Sequence, residues 1–130
     1  MTWLMLLLAF DLAAVKAEPD PVKRANRALD YAFEQLAEAR KLTSDGSAEA
    51  LKSTAEQVTA GIDLMVETFG QARRRTSDLK KAELRLRDLI RRLETLRQDA
   101  PFEERAVIEA VETRARASNE KLLELVMGKR

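Results

Sequence analysis

Leu79, Ala82, Leu86, Leu89, Leu93 and Leu96 follow one another in steps of three and four, and charged residues fill most of the positions between them. This spacing returns every member to one side of a 3.6-residue helix, the a and d seam of a heptad. A chain that carries such a stripe must bury it against another apolar surface. Three further stripes offer that surface. The first runs Val22, Ala25, Leu29, Ala32, Leu36 and Ala39, widened by Phe33. The second runs Leu51, Ala55, Val58, Ile62, Met65 and Phe69, and the last Ile108, Val111, Ala115, Ser118, Leu122 and Leu125.

Punctuation divides the four stripes into four helices, expected near 21–43, 47–70, 77–98 and 101–127. Asp20 before Pro21 marks a start, because Asp accepts from the free amides of a first turn and Pro needs no donor there. The run T43-SDG-46 marks a stop with Gly46 as a left-handed cap, and Ser47 starts the second helix. Ser77 with Asp78 opens the third, Q98-DAP-101 closes it, Glu103 and Glu104 favour the start of the fourth, and Gly128 ends it. Helices of 22–27 residues would be roughly 33–40 Å long. Rods of that length with short connections predict an all-α fold, an antiparallel up-down-up-down four-helix bundle over residues 18–130. The many alanines predict close approach between some helix pairs. A homodimer of two helical hairpins satisfies the same pattern. No run alternates as a strand would.

The segment before the bundle reads as an export signal. Trp3 to Phe10 is an unbroken apolar run of eight, too short for a bilayer that takes roughly 20 residues, and V15-K-A17 has the small-residue spacing a signal peptidase accepts. The lack of a cation before the run and the presence of Asp11 depart from the usual pattern. Residues 1–17 are therefore expected to be a signal peptide, with the mature chain starting at Glu18, free of a transmembrane span, and periplasmic or secreted. The competing reading is an N-terminal helix of the fold.

The 130 residues contain no cysteine and no histidine. Disulfides, thiolate metal sites and c-type haem attachment are thereby excluded, and so are the histidines of a carboxylate-bridged di-iron site. A serine nucleophile lacks an imidazole base, and composition leaves only a Ser-Lys or a paired-carboxylate mechanism open. Glu56, Asp63, Glu67, Glu109 and Glu112 fall off the apolar seams and read as solvated helix faces. Gly61 and Gly70 are isolated, so no phosphate loop is present. The expectation is a non-enzymatic protein with no catalytic, metal or cofactor-binding residues.

The strongest functional suspicion falls on residues 73–97, which hold ten Lys/Arg against four Asp/Glu, whereas residues 18–72 hold six against ten. Arg73, Arg74 and Arg75 precede the third helix, and Arg85, Arg87, Arg91 and Arg92 lie along it. In heptad register these cations spread around the whole exposed arc. Glu83 reaches Arg87 and Asp88 reaches Arg92 at the favourable four-residue spacing, and helices one and two supply negative charge for cross-helix pairing. Glu94 lies three residues from both Arg91 and Arg97. No aromatic is interleaved to stack on bases, so nucleic acid is not the expected ligand. Leu84 maps outward and Ile90 to the flank, a second apolar edge that fits a neighbouring helix or a partner groove. The terminal L122-LELVMGKR-130 reads as a helix docked almost to its last turn, with Lys129 and Arg130 as solubilising cations.

The signal-like start, K80-KAELRLRDLIRRLETLR-97 and L122-LELVMGKR-130 together resemble small exported helical-bundle proteins of bacteria. That resemblance implies an exported all-α chain and no activity. Exported stress-response chaperones with four helices are a second comparison, but their Leu-Thr-x-x-Gln repeat is not found here. The leading expectation is an exported interaction or structural protein with an unknown protein partner. The alternative is an anion-binding module that uses the basic 73–97 region on nucleic acid, envelope polymer or lipid head groups.

Overall fold

The computed structural model describes residues 12–45, 48–71 and 75–128. Four long helices follow in chain order: α1 (Pro21–Asp45), α2 (Ala48–Gln71), α3 (Thr76–Asp99) and α4 (Phe102–Val126). The fold is an all-α four-helix bundle, and each helix end falls within two residues of its expected place. Asp20 caps α1 by accepting the N–H of Val22 at 3.0 Å. Gly128 follows the last turn of α4 with φ +72°, the left-handed conformation glycine adopts without penalty. The expected Gly46 cap and Ser47 start lie outside the described residues. α3 opens one residue before the expected Ser77: Arg75, in extended conformation, has the cap position, and its carbonyl accepts the N–H groups of Asp78 and Leu79.

The stripes all face inward. Leu29, Leu51, Ile62, Met65, Leu86, Leu89 and Leu122 are fully enclosed, and one continuous apolar cluster runs through the bundle. α1 buries more than its expected stripe, because Ala28, Tyr31 and Gln35 are also covered. The reason is that α1 has two neighbours, and residues 28, 31 and 35 turn toward a different one from Phe33 and Leu36.

Those neighbours define an unusual ring. α1 packs on α2 and on α3, α4 packs on α2 and on α3, and the pairs α1/α4 and α2/α3 stand on the diagonals. Cross-helix contacts give the directions. Arg24 meets Thr68 and Tyr31 meets Gln57, so α1 and α2 are antiparallel. Arg97 meets Glu112 and Asn119 meets Glu83, so α3 and α4 are too. Asp30 pairs with Arg85 and Leu36 lines a crevice with Leu96, while Ala55 lines a groove with Val107 and Asp63 pairs with Arg114, so α1/α3 and α2/α4 are parallel neighbours. The chain thus forms two antiparallel hairpins, and Gln71 and Thr76, which end one and begin the other, belong to helices on a diagonal. Ring order corrects one expectation: α2 does not flank α3, so the charge facing α3 comes from α1 and α4.

The alanine content sets the spacing. Ala25, Ala28 and Ala32 are fully buried, and a Cβ placed on Gly61 of α2 would lie 2.9 Å from the Ala28 carbonyl oxygen and 3.1 Å from the Ala32 Cβ. The backbones of α1 and α2 therefore nearly touch, as the alanine-rich stripes lead one to expect. Leucine and arginine hold α1 and α3 farther apart, and a small crevice of about 120 Å³ lined by Phe33, Leu36, Arg92 and Leu96 runs between them.

Residues 12–16 form a short helical stretch ahead of α1. Val15 from this stretch is only 8% exposed and belongs to the core cluster. The chain then turns: the Ala17 N–H donates to the Ala13 carbonyl and the Glu18 N–H to the Val15 carbonyl. Arg24 donates to the Glu18 carbonyl at 2.8 Å, and Arg27 pairs with the Glu18 carboxylate at 3.2 Å. The rest of the expected signal segment, residues 1–11, lies outside the described residues. No helix among the described residues is long and apolar enough to cross a membrane.

Candidate functional site

The seven arginines and the leucine singled out by sequence do not form one patch. Arg73 and Arg74 lie outside the described residues. Arg75 is exposed at the start of α3. On the helix itself, position around the axis decides each cation's fate. Arg85 leans toward α1, pairs with Asp30 and places its guanidinium 5.4 Å from the centre of the Phe33 ring. Arg92, two turns later on the same side, pairs with Asp88 at 3.2 Å and stands 5.0 Å from the same ring. Two cations near one half-buried aromatic ring form favourable cation–π contacts. Both therefore serve the α1/α3 seam.

On the opposite flank Arg87 reaches back to Glu83, with its Nε at 3.0 Å. Glu83 is buried at the α3/α4 seam, where Asn119 also approaches its carbonyl and carboxylate at 3.4 and 3.5 Å. The two expected pairs at four-residue spacing, Glu83 with Arg87 and Asp88 with Arg92, are both formed. Glu94 lies 3.7 Å from Arg116 of α4, and its charge also acts on Arg97, three residues along α3. Ile90, expected on the flank, is buried in the core cluster and so widens the contact with the neighbouring helices.

What remains on the outer face of α3 is small and specific. Arg91 has no ion-pair partner among the described residues, and the same holds for Lys80 and Lys81. Lys80, Leu84 and Arg91 share one narrow arc of the helix, with Lys81 at its edge. Leu84 is 58% exposed in the middle of that arc. A single exposed leucine is ordinary. A leucine set among unpaired cations offers a contact for a surface that is acidic and partly apolar.

A second polar cluster was not foreseen. Glu112 was expected on a solvated face, yet it is buried between α3 and α4. Arg97 donates through Nε to one of its carboxylate oxygens at 2.7 Å, and Arg116 donates to the other at 2.9 and 3.3 Å. Burial pushes the Glu112 carboxyl up, but the hydrogen bonds and charges of Arg97 and Arg116 outweigh it and hold the group below its ordinary value. The hydrogen bond and charge of Glu112 in turn raise Arg97. The sequence signal existed in part: Glu112 and Arg116 are four apart on one helix. The partner from α3 depends on the ring order. On the α2/α4 side, Arg114 grips Asp63 with both nitrogens at 3.0 and 3.3 Å and rises above its ordinary value through that hydrogen bond and the Asp63 charge.

The Arg114–Asp63 pair divides a groove along the parallel α2/α4 seam. One section, of about 380 Å³, is lined by Ala55, Thr59, Val107 and Val111 with Lys52 and Glu56 at the edge. The other, of about 410 Å³, is lined by Val66, Glu67, Ser118 and Lys121. Both are open to solvent. Among the described residues no group of three or more Asp or Glu is placed to hold a metal ion. Compared with protein-family models, curated proteins and solved structures, the chain matches none. The geometry of the bundle and its charges therefore carries the functional argument alone.

Proposed function

We propose that this chain is an exported helical interaction protein without chemistry of its own, and that the outer face of α3 is its contact surface. One observation carries the reading. Within a helix whose other arginines are tied to Asp30, Glu83, Asp88 or Glu112, Lys80, Lys81 and Arg91 keep unpaired charge around the exposed Leu84. Paired surface cations have less to give a ligand, since binding must first break the existing pair. Unpaired ones steer an acidic partner and pair with it on arrival. The missing histidines and cysteines, the apolar interior and the structural use of Glu83 and Glu112 support a role without catalysis. The apolar N-terminal segment supports export.

The test compares the parent chain with Lys80→Glu/Arg91→Glu and with Leu84→Asp. Glutamate-rich peptides containing leucine should bind the parent in a salt-sensitive manner and lose at least tenfold in affinity to either variant. If the peptide does not bind at low salt, the α3 face is not a contact surface. Retention of single-stranded DNA or RNA in place of the peptide would favour the anion-binding alternative. Reproducible turnover in a broad hydrolase screen would overturn the non-enzymatic reading.

A further inference from the structure

The groove between α2 and α4 is bordered by two stripes that the core does not use. On α2 the residues facing it are Lys52, Glu56, Thr59, Asp63 and Val66. On α4 they are Val107, Ala110, Arg114, Ala117 and Lys121, and the exposed Glu103 begins the same stripe one turn earlier. Both stripes advance in steps of four and three, so each holds one flank of its helix. Because the helices run parallel, the register marked by Asp63 and Arg114 repeats along the whole seam.

Charge follows that register. Lys52 stands level with Glu103 near the start of both helices, Asp63 stands level with Arg114, and Glu67 lines one section of the groove with Lys121. Each level carries opposite signs on the two helices, and the order reverses between the first level and the other two. Among the described residues only the middle level closes within the chain. Lys52, Glu103 and Lys121 have no ion-pair partner there, and Glu67 accepts a 3.5 Å bond from Gln71 of its own helix.

We propose that a second copy of this chain covers the groove, related by a two-fold axis that runs along it. Such an axis lays α2 of one copy on α4 of the other in the same direction, so Lys52 meets Glu103 and Glu67 meets Lys121 across the interface. Every level is then matched in sign, as an isologous contact requires. A two-fold axis across the groove would lay α2 on α2, where the acids Glu56, Asp63 and Glu67 face one another. The surface also suits close contact. Val66 and Val107 are half-buried on the groove floor, and the exposed Ala110 and Ala117 let the backbones approach. A strip about 36 Å long and about 20 Å wide offers roughly 700 Å² per copy, close to the ~800 Å² of a stable interface. α3 stands diagonal to α2, so its outer face stays open in both copies. The dimer therefore presents two α3 contact faces, yet it rests on none of their residues.

The experiment uses the full 130-residue chain. Light scattering coupled to size exclusion at low salt should give twice the mass of one chain. Lys52→Glu/Glu67→Lys, confined to α2, sets like charges against α4 of the other copy, and Glu103→Lys/Lys121→Glu does the same from α4. Each variant keeps the net charge of the chain and should weaken self-association at least tenfold with the helical circular dichroism intact. Mixed in equal amounts, the two variants restore opposite signs at both outer levels and should recover the two-chain mass as a heterodimer. Repulsion inside one chain is not relieved by mixing, so recovery requires contact between copies. Ala117→Arg, a good helix former, blocks the close approach while leaving the charge pairs in place, and should also weaken the dimer at least tenfold. A parent chain that stays single at millimolar concentration leaves the groove to another occupant and overturns the proposal. So does a two-chain species that all three variants retain, or a mixture that stays single.

Discussion

Gln35 is the least comfortable side chain in the bundle. It is almost wholly buried, and among the described residues neither its amide oxygen nor its amide nitrogen meets a hydrogen-bonding group. One turn earlier on α1, Tyr31 resolves the same problem by donating its hydroxyl to the Gln57 side-chain oxygen at 2.7 Å. An unsatisfied buried amide costs about 1–3 kcal/mol, so Gln35→Met, which nearly conserves volume, should stabilise the fold by about 1 kcal/mol and raise Tm in a thermal melt. Glu112 is the opposite case, a buried acid made favourable by its partners. Its carboxyl titrates below the ordinary value of about 4.3. The unfolded state therefore binds the proton first as pH falls, and the stability Glu112 contributes is complete above that value and is lost as pH drops through the folded one. Glu112→Gln should cost about 1–3 kcal/mol in urea unfolding at pH 7. The gap to the parent should narrow steadily below pH ~4, and a gap that stays constant across the acid range would remove Glu112 from the pH dependence.

Among the elements, the glycines of α2 separate close packing from helix propensity. Gly61 lies against α1, where an added Cβ meets backbone at 2.9 Å, whereas nothing lies within 4 Å of the same atom on Gly70. Alanine gains roughly 1 kcal/mol over glycine in a helix interior and less near an end. Gly70→Ala should thus be neutral or slightly stabilising. Gly61→Ala should destabilise by about 1–3 kcal/mol, since the overpacking of two backbones exceeds the propensity gain. Equal melting temperatures for the two variants would show that α1 and α2 stand farther apart than their alanines suggest. The close approach itself was legible, because Ala25, Ala28 and Ala32 recur at helical spacing. The role of Gly61 was not. A lone glycine in a helix reads the same whether it faces solvent or a neighbour, and only the facing pattern distinguishes it from Gly70. Glu83 and Glu112 were hidden for a related reason: each borders a seam, and its burial depends on which helix arrives next to it.

At the scale of the molecule, stripe periodicity established the four long helices and where they end, but not the ring. Four apolar stripes of similar length pack as well in the order α1–α2–α3–α4 as in the observed α1–α2–α4–α3. The difference shows only in specific cross-pairs such as Asp30–Arg85 and Asp63–Arg114. The same reason explains why only part of the suspected basic surface survives. Arg85 and Arg97 found carboxylates on α1 and α4, while Lys80, Lys81 and Arg91 turn away from both neighbours. The diagonal connection has a mechanical consequence. Adjacent helix axes stand roughly 8–10 Å apart, which makes the diagonal about 11–14 Å. The four residues between Gln71 and Thr76 reach that distance, whereas a connection of one residue spans only about 7 Å. Deleting residues 72–74 should therefore stop the α3/α4 hairpin from returning to its own α1/α2 hairpin. Both hairpins keep their apolar faces, so a second chain becomes the only source of the missing half. Light scattering coupled to size exclusion should show twice the parent mass, with helical content preserved. Inserting four Gly/Ser residues at the same place adds little closure entropy, under about 1 kcal/mol, and should leave mass and fold as they were. If the deletion keeps both the parent mass and the parent Tm, the hairpins cannot be joined across the diagonal.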